Sequence, residues 1–148
     1  MYKNILCATD ISPRSIHALK SAFSLAEQFN AKLYILNSQE NLNSPEERLM
    51  SRISVKKRMD ENKELAIKIK TLISEIVDEL DVSPSYDFIL REGKAENVII
   101  NLATELDVDL IVMGTNGADQ IADYFLGTTA ENVIKSATCP VLVIPTLK

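Results

Sequence analysis

Short apolar runs alternate along the chain with longer stretches whose apolar residues recur every three or four positions. Ile5-Leu6-Cys7-Ala8 is nearly continuous in apolar character, as a strand buried on both faces requires. A first strand is expected over Tyr2 to Thr9. Ser12 followed by Pro13 has the form of an N-cap with proline at the first helical position. Ile16, Leu19, Ala22, Phe23 and Ala26 then follow at helical spacing. Leu33 to Leu36 predicts a second strand. The stretch from Pro45 to Leu80 is long and charged. Its second half is amphipathic, with Leu65, Ile69, Leu72, Ile76 and Leu80 three or four apart. Its first half, Asn41 to Asp60, is less regular and reads as a loop with a helical turn or two.

Pro84 marks a turn, and Tyr86 to Arg91 predicts a third strand. Gly93 opens a turn into a helix with Ala95, Val98, Ile99, Leu102, Ala103 and Leu106 on one face. Leu110 to Met113 is the fourth strand. The segment Gly114 to Gly127 carries Ile121 and Tyr124-Phe125-Leu126, a pattern expected to form a short helix. A last helix is expected from Thr129 to Ala137. Val141 to Ile144, between Pro140 and Pro145, is the fifth strand. Five strands separated by helices predict an α/β fold, an open parallel sheet with helices on both faces, in one domain over 1–148. In such sheets ligands sit beyond the carboxyl ends of the strands, where the strand order reverses. The residues just after strands one, two and four are therefore the candidates for function.

Composition narrows the classes. Hydrophobic residues make up 46% and charged residues 25% of the chain, which excludes a disordered or low-complexity protein. A net charge of −5 argues against nonspecific binding to nucleic acid, which relies on a basic surface. Half of the basic residues lie between Arg48 and Lys70, interspersed with acids as on a solvated helix face. Cys7 and Cys139 cannot build a disulfide framework and read as reduced core thiols. The apolar run near the N-terminus is too short for a signal-peptide core or a membrane span, so no membrane association and a cytoplasmic location are the expectations. His17 is the one histidine, which excludes metal sites built from several imidazoles.

Two clusters carry candidate chemistry. After strand one comes Thr9-Asp10-Ile11-Ser12. A carboxylate at the end of a central strand needs partners. Asp10 either caps local backbone amides or contacts a ribose, a base or a metal ion. After strand four comes Gly114-Thr115-Asn116-Gly117, then nine residues, then Gly127-Thr128-Thr129. Glycines let backbone amides approach a ligand, and a helix start offers unpaired amides that suit phosphate. Thr128-x-x-Glu131 also matches a capping box, which would spend the Thr128 hydroxyl on the helix itself. The chain has no G-x-x-x-x-G-K and no G-x-G-x-x-G after strand one. A phosphoacceptor receiver would need paired acids after strand one and a lysine after strand five, and neither is present. No nucleophile–base pair suggests catalysis.

Gly114-x2-Gly117-x9-Gly127-Thr128 resembles the glycine motif of the ATP-binding branch of the universal stress proteins. The opening Ile5 to Ser12, the segment Asp109 to Gly114 and the ending Cys139 to Ile144 are similar to the same family, so the resemblance covers essentially the whole chain. It implies a Rossmann-like sheet ordered 3-2-1-4-5, a homodimer paired through the fifth strand, and a bound adenine nucleotide: ATP, ADP or AMP. By the same resemblance Thr9 and Asp10 lie by the nucleoside, and the main chain at Ser38 meets the adenine edge. Gly114, Thr115, Asn116, Gly117 and Ala118, with Gly127, Thr128, Thr129 and Ala130, would wrap ribose and phosphates. One departure matters. Family members often carry a basic or polar residue after the second glycine, where this chain has Ala118, and from Ala95 to Val133 there is no Lys or Arg. A triphosphate would then depend on amides, hydroxyls and a divalent cation, with Mg²⁺ the natural candidate. The expected role is a nucleotide-binding regulator of the stress response. A nucleotide-free dimeric signalling protein of the same fold and a slow ATPase are the alternatives.

Overall fold

The computed structural model describes residues 1–40, 52–115 and 126–145, with the backbone alone over 52–62. The elements are β1 (Asn4–Ala8), a short 3-10 turn (Pro13–Ser15), α1 (Ile16–Phe29), β2 (Lys32–Gln39), α2 (Arg52–Leu80), β3 (Tyr86–Glu92), α3 (Ala95–Glu105), β4 (Leu110–Gly114), α4 (Thr128–Ser136) and β5 (Val141–Ile144). The strands form one sheet in the order β3-β2-β1-β4-β5, and every adjacent pair is parallel. The sheet is Rossmann-like, as the pattern and the resemblance led us to expect.

The apolar runs explain this layering. β1 buries Ile5, Leu6 and Cys7 in succession, so both pleat faces are covered. Leu6, Leu36, Ile111 and Met113 share a cluster with Val98, Ile99 and Leu102 of α3 and Ala130 and Val133 of α4. Residues of opposite parity, Ile5, Cys7, Ile35 and Val112, point to the other face of the pleat. α1 packs across β1, β2, β4 and β5 and buries Ala18, Leu19, Ala22, Phe23 and Ala26, the stripe its spacing predicted. Asn30 ends α1 in the left-handed conformation, φ 53°, where asparagine is tolerated.

Residues 41–81 form a compact unit distinct from 1–40 with 82–148. Their helix is more regular than expected. Arg52 to Asp60 is continuously helical, where the sequence pattern suggested a loop with a helical turn or two, and α2 runs unbroken for 29 residues. No glycine or proline interrupts it, and its lysines, arginines and glutamates are strong helix formers. Among its described side chains the buried ones are Ile69, Ile73 and Ile76, so Ile73 takes the place expected of Leu72. Among the described residues no helix is long and apolar enough to cross a membrane. The short helix expected around Ile121 and Tyr124-Phe125 lies outside the described residues.

The thiols differ in environment. Cys7 is fully buried, and burial pushes its pKa up to about 12. Cys139 is only partly buried; burial and, to a lesser degree, the nearby Asp109 carboxylate raise its pKa. A thiolate is the reactive species, so Cys7 should resist a disulfide reagent such as DTNB in the folded protein. The expected result is slow reaction at Cys139 alone, with both thiols reacting in denaturant. Rapid native labelling of Cys7, read by peptide mass, would show that the sheet opens readily.

Candidate functional site

The sheet order reverses between β1 and β4, so the chain leaves these neighbouring strands in opposite directions. Their carboxyl ends flank a crevice, the usual ligand position in such sheets. β1 delivers Thr9 and Asp10 to it, β2 delivers Asn37 and Ser38, and β4 delivers Gly114 and Thr115.

The turn after β1 is held by a dense set of bonds. The Thr9 N–H donates to the Leu36 carbonyl at 2.9 Å. The Thr9 hydroxyl donates to Ser15 Oγ at 2.8 Å and accepts the Ile11 N–H at 3.1 Å. Ser15 Oγ donates in turn to the Ser12 carbonyl at 2.8 Å. Ser12 caps the 3-10 turn by accepting the Ser15 N–H, with Pro13 first in the turn as expected. Asp10 Oδ1 accepts both the Ser12 N–H at 2.9 Å and the Ser12 hydroxyl at 2.6 Å. The local-capping role considered for Asp10 is therefore real, but it occupies one oxygen. Among the described residues Oδ2 receives no bond, and the side chain is exposed. Ile11 has φ 63°, a left-handed conformation that is a genuine outlier for a β-branched residue.

The second cluster is joined by one bond. The Gly127 N–H donates to the Thr115 carbonyl at 2.6 Å, which brings the start of α4 to the end of β4. Thr115 is itself anchored by its N–H to the Ile144 carbonyl at 3.1 Å. The capping box expected at Thr128 does not form. Gly127 is the N-cap and Thr128 already lies in the helix, with no side-chain cap bond. Glu131 pairs instead with Lys135 at 3.0 Å. The reason is one of register: the glycine carbonyl accepts the Glu131 N–H at 3.0 Å, so helix geometry begins one residue earlier than a threonine cap would need. Gly127 has φ −63° and ψ 156°, which any residue can adopt, so what glycine supplies here is the absence of a side chain.

Of the other expected residues, Ser38 is half-buried in β2 opposite Arg91. The Ala130 side chain is buried in the core, so it offers only its backbone. Asn116, Gly117 and Ala118 lie outside the described residues. Two cations at the end of β3 and the turn after it, Arg91 and Lys94, carry partners. Arg91 makes two bonds to Glu105 at 2.9 and 3.0 Å, which raise the arginine pKa and lower that of the carboxylate. Lys94 sits 3.3 Å from Glu96 Oε1, which also accepts from Asn132 Nδ2 at 3.1 Å. Sequence reasoning missed Asn37. It is 5% exposed and donates from Nδ2 to the Thr9 carbonyl at 2.9 Å. The signal was a polar residue directly after the apolar run Ile35-Leu36. Among the described residues no group of three or more His, Cys, Asp or Glu side chains is placed to hold a metal ion.

The donor set at α4 consists of backbone N–H groups of an uncapped helix start and two threonine hydroxyls. It fits an oxyanion held without a basic side chain. The exposed carboxylate across the crevice fits a hydroxyl-bearing group. The crevice lies at the strand-order reversal of an open parallel α/β sheet. The chain belongs to the universal stress protein family, whose family model matches residues 1–145. A universal stress protein of Methanocaldococcus jannaschii is 33% identical over 147 residues, covering 97% of this chain and 82% of the relative. A universal stress protein solved in complex with cAMP superposes with a TM-score of 0.72 at 22% identity, covering 99% of this chain and 98% of the other. One from Archaeoglobus fulgidus in complex with dAMP gives 0.65 at 23% identity, covering 97% and 98%. These two likenesses establish the fold.

If Thr128 is not a cap, its hydroxyl contributes little to helix stability. Thr128→Ala should shift the unfolding free energy by less than about 0.5 kcal/mol, against about 1 kcal/mol for loss of a working N-cap. Thermal melts of both proteins decide. A loss of the full capping magnitude would restore the capping box.

Proposed function

We propose that this protein is an adenine-nucleotide-binding regulator of the stress response, acting in the cytoplasm as a homodimer. The observation that carries the reading is the Gly127–Thr115 bond, which sets the start of α4 at the end of β4, the strand that pairs with β1 at the strand-order reversal. The nucleotide complexes of two proteins of the same fold and family support it. Thr9 and Asp10 would face the nucleoside, with the Ser38 main chain at the base edge. Gly114, Thr115, Gly127, Thr128, Thr129 and the Ala130 amide, together with Asn116, Gly117 and Ala118, would take ribose and phosphates. The family model runs across both compact units, which supports reading 1–148 as one domain. Binding, rather than turnover, is the proposed activity.

ATP, ADP and AMP each fit the donor set. The chain's own groups would bind phosphate with amides and hydroxyls while Arg91 and Lys94 stay committed to carboxylates. A triphosphate then needs Mg²⁺ to offset its charge. Calorimetry should show binding of AMP and of Mg·ATP, with chelator weakening ATP far more than AMP. Equal chelator effects would assign charge compensation to the protein. No heat with any of the three nucleotides, each with Mg²⁺, would sink the reading. Gly117→Val should abolish binding without unfolding the protein.

The dimer reading rests on β5. It is an edge strand paired to β4 alone among the described residues, and Leu142 is exposed. It carries no lysine or glycine to blunt its open edge, so a second copy would cover it. Light scattering should give twice the 16.5 kDa chain mass, and Val143→Lys should give the monomer. A wild-type monomer at micromolar concentration, or a dimer indifferent to the substitution, would move or remove the interface.

A further inference from the structure

Asn37 is a buried amide whose two ends have different fates. Nδ2 donates to the Thr9 carbonyl at 2.9 Å, a bond made across the carboxyl ends of β1 and β2. Oδ1 is buried with no hydrogen-bond partner among the described residues. Reversing the amide would set oxygen against the Thr9 carbonyl oxygen, so the orientation is fixed by chemistry. An orphaned buried acceptor is unfavourable, and an apolar side chain of similar size would avoid it. What Asn37 does contribute is a clamp on Thr9. Thr9 is 6% exposed and already bonded through its N–H, its hydroxyl and now its carbonyl. Two residues on, Ile11 is held at φ 63°, a geometry that persists only when its surroundings over-determine it. Between the two stands Asp10, turned outward with Oδ1 tied to Ser12.

We propose that Asn37 is a positioning residue for the nucleoside end of the site: its amide locks the Thr9 carbonyl and, through it, the left-handed turn that presents Asp10. The inference rests on the nucleotide-binding reading above and goes beyond it, because it assigns the geometry of Asp10 to a residue in another strand. Asn37 touches no ligand in this account. Asn37→Asp removes the donor at nearly constant size, and Asn37→Ser withdraws it by shortening the side chain.

The test has two arms on the full-length protein. In the first, NMR reads the turn without ligand, from the backbone shifts of Asp10, Ile11 and Ser12 and the Ile11 HN–Hα coupling. In the second, calorimetry measures AMP affinity for Asn37→Ser, Asn37→Asp, Asp10→Ala and each double variant. Release of the turn should accompany a loss of AMP affinity of about tenfold, the scale of one lost hydrogen bond. Because Asn37 acts through Asp10, either substitution should add almost nothing to Asp10→Ala. General loosening of the fold would instead lower affinity in the Asp10→Ala background as well. An unchanged turn, an unchanged affinity or full additivity overturns the inference while wild-type binding leaves the nucleotide reading standing. If one variant fails to fold, the other carries the cycle; if both do, the clamp is a folding element and the inference is overturned. Wild type that binds no AMP overturns both readings.

Discussion

The 2.6 Å bond from the Gly127 N–H to the Thr115 carbonyl is the contact on which the candidate site depends. It ties the backbone at the start of α4 to the end of β4 and so brings Gly127 close to Gly114. The bond works because each end is anchored elsewhere. Thr115 is fixed to Ile144 of β5, and Ala130 and Val133 bury α4 against α3 and the sheet. The hydrophobic core thus sets where the amides lie, while the amides determine what the crevice can hold. A site made from backbone groups and hydroxyls has little charge of its own.

The opposite wall is organised differently. The Thr9 hydroxyl donates to Ser15 Oγ, which donates to the Ser12 carbonyl, while Ser12 Oγ accepts the Ser15 N–H, and Asn37 ties this network to β2. This buried polar network replaces apolar packing at the point where β1 ends. Its consequence is a strained Ile11 and an outward Asp10. Strain of this kind is retained where the surrounding bonds outnumber the degrees of freedom of the turn. A crevice with one wall of helix amides and one of a rigid acidic turn distinguishes the two ends of an asymmetric ligand.

Much of the architecture was legible in the sequence because parallel strands must be apolar on both faces. Ile5-Leu6-Cys7 and Val141-Leu142-Val143-Ile144 announced β1 and β5, and the stripe from Leu19 to Ala26 announced the buried face of α1. The strand order came from the family resemblance, since periodicity carries no pairing information. The first turns of α2 were missed because their charged residues give no apolar rhythm, although their helix propensity is high. At Thr128 the pattern matched a capping box, but the competing cap, Gly127, stood one residue earlier. Asp10 and the glycine segment were legible as chemistry. Asn37 was not, because its role depends on a strand neighbour nearly thirty residues distant in sequence.

An amide-resolved NMR titration with AMP tests the central claim most directly. The account predicts that Thr9, Asp10, Ile11 and Ser12 shift together with Gly114, Thr115, Gly127, Thr128 and Thr129, along one saturating curve. Both walls must respond to the same ligand at the same concentration. Shifts confined to one wall, shifts centred on α2, or none up to millimolar AMP would contradict it.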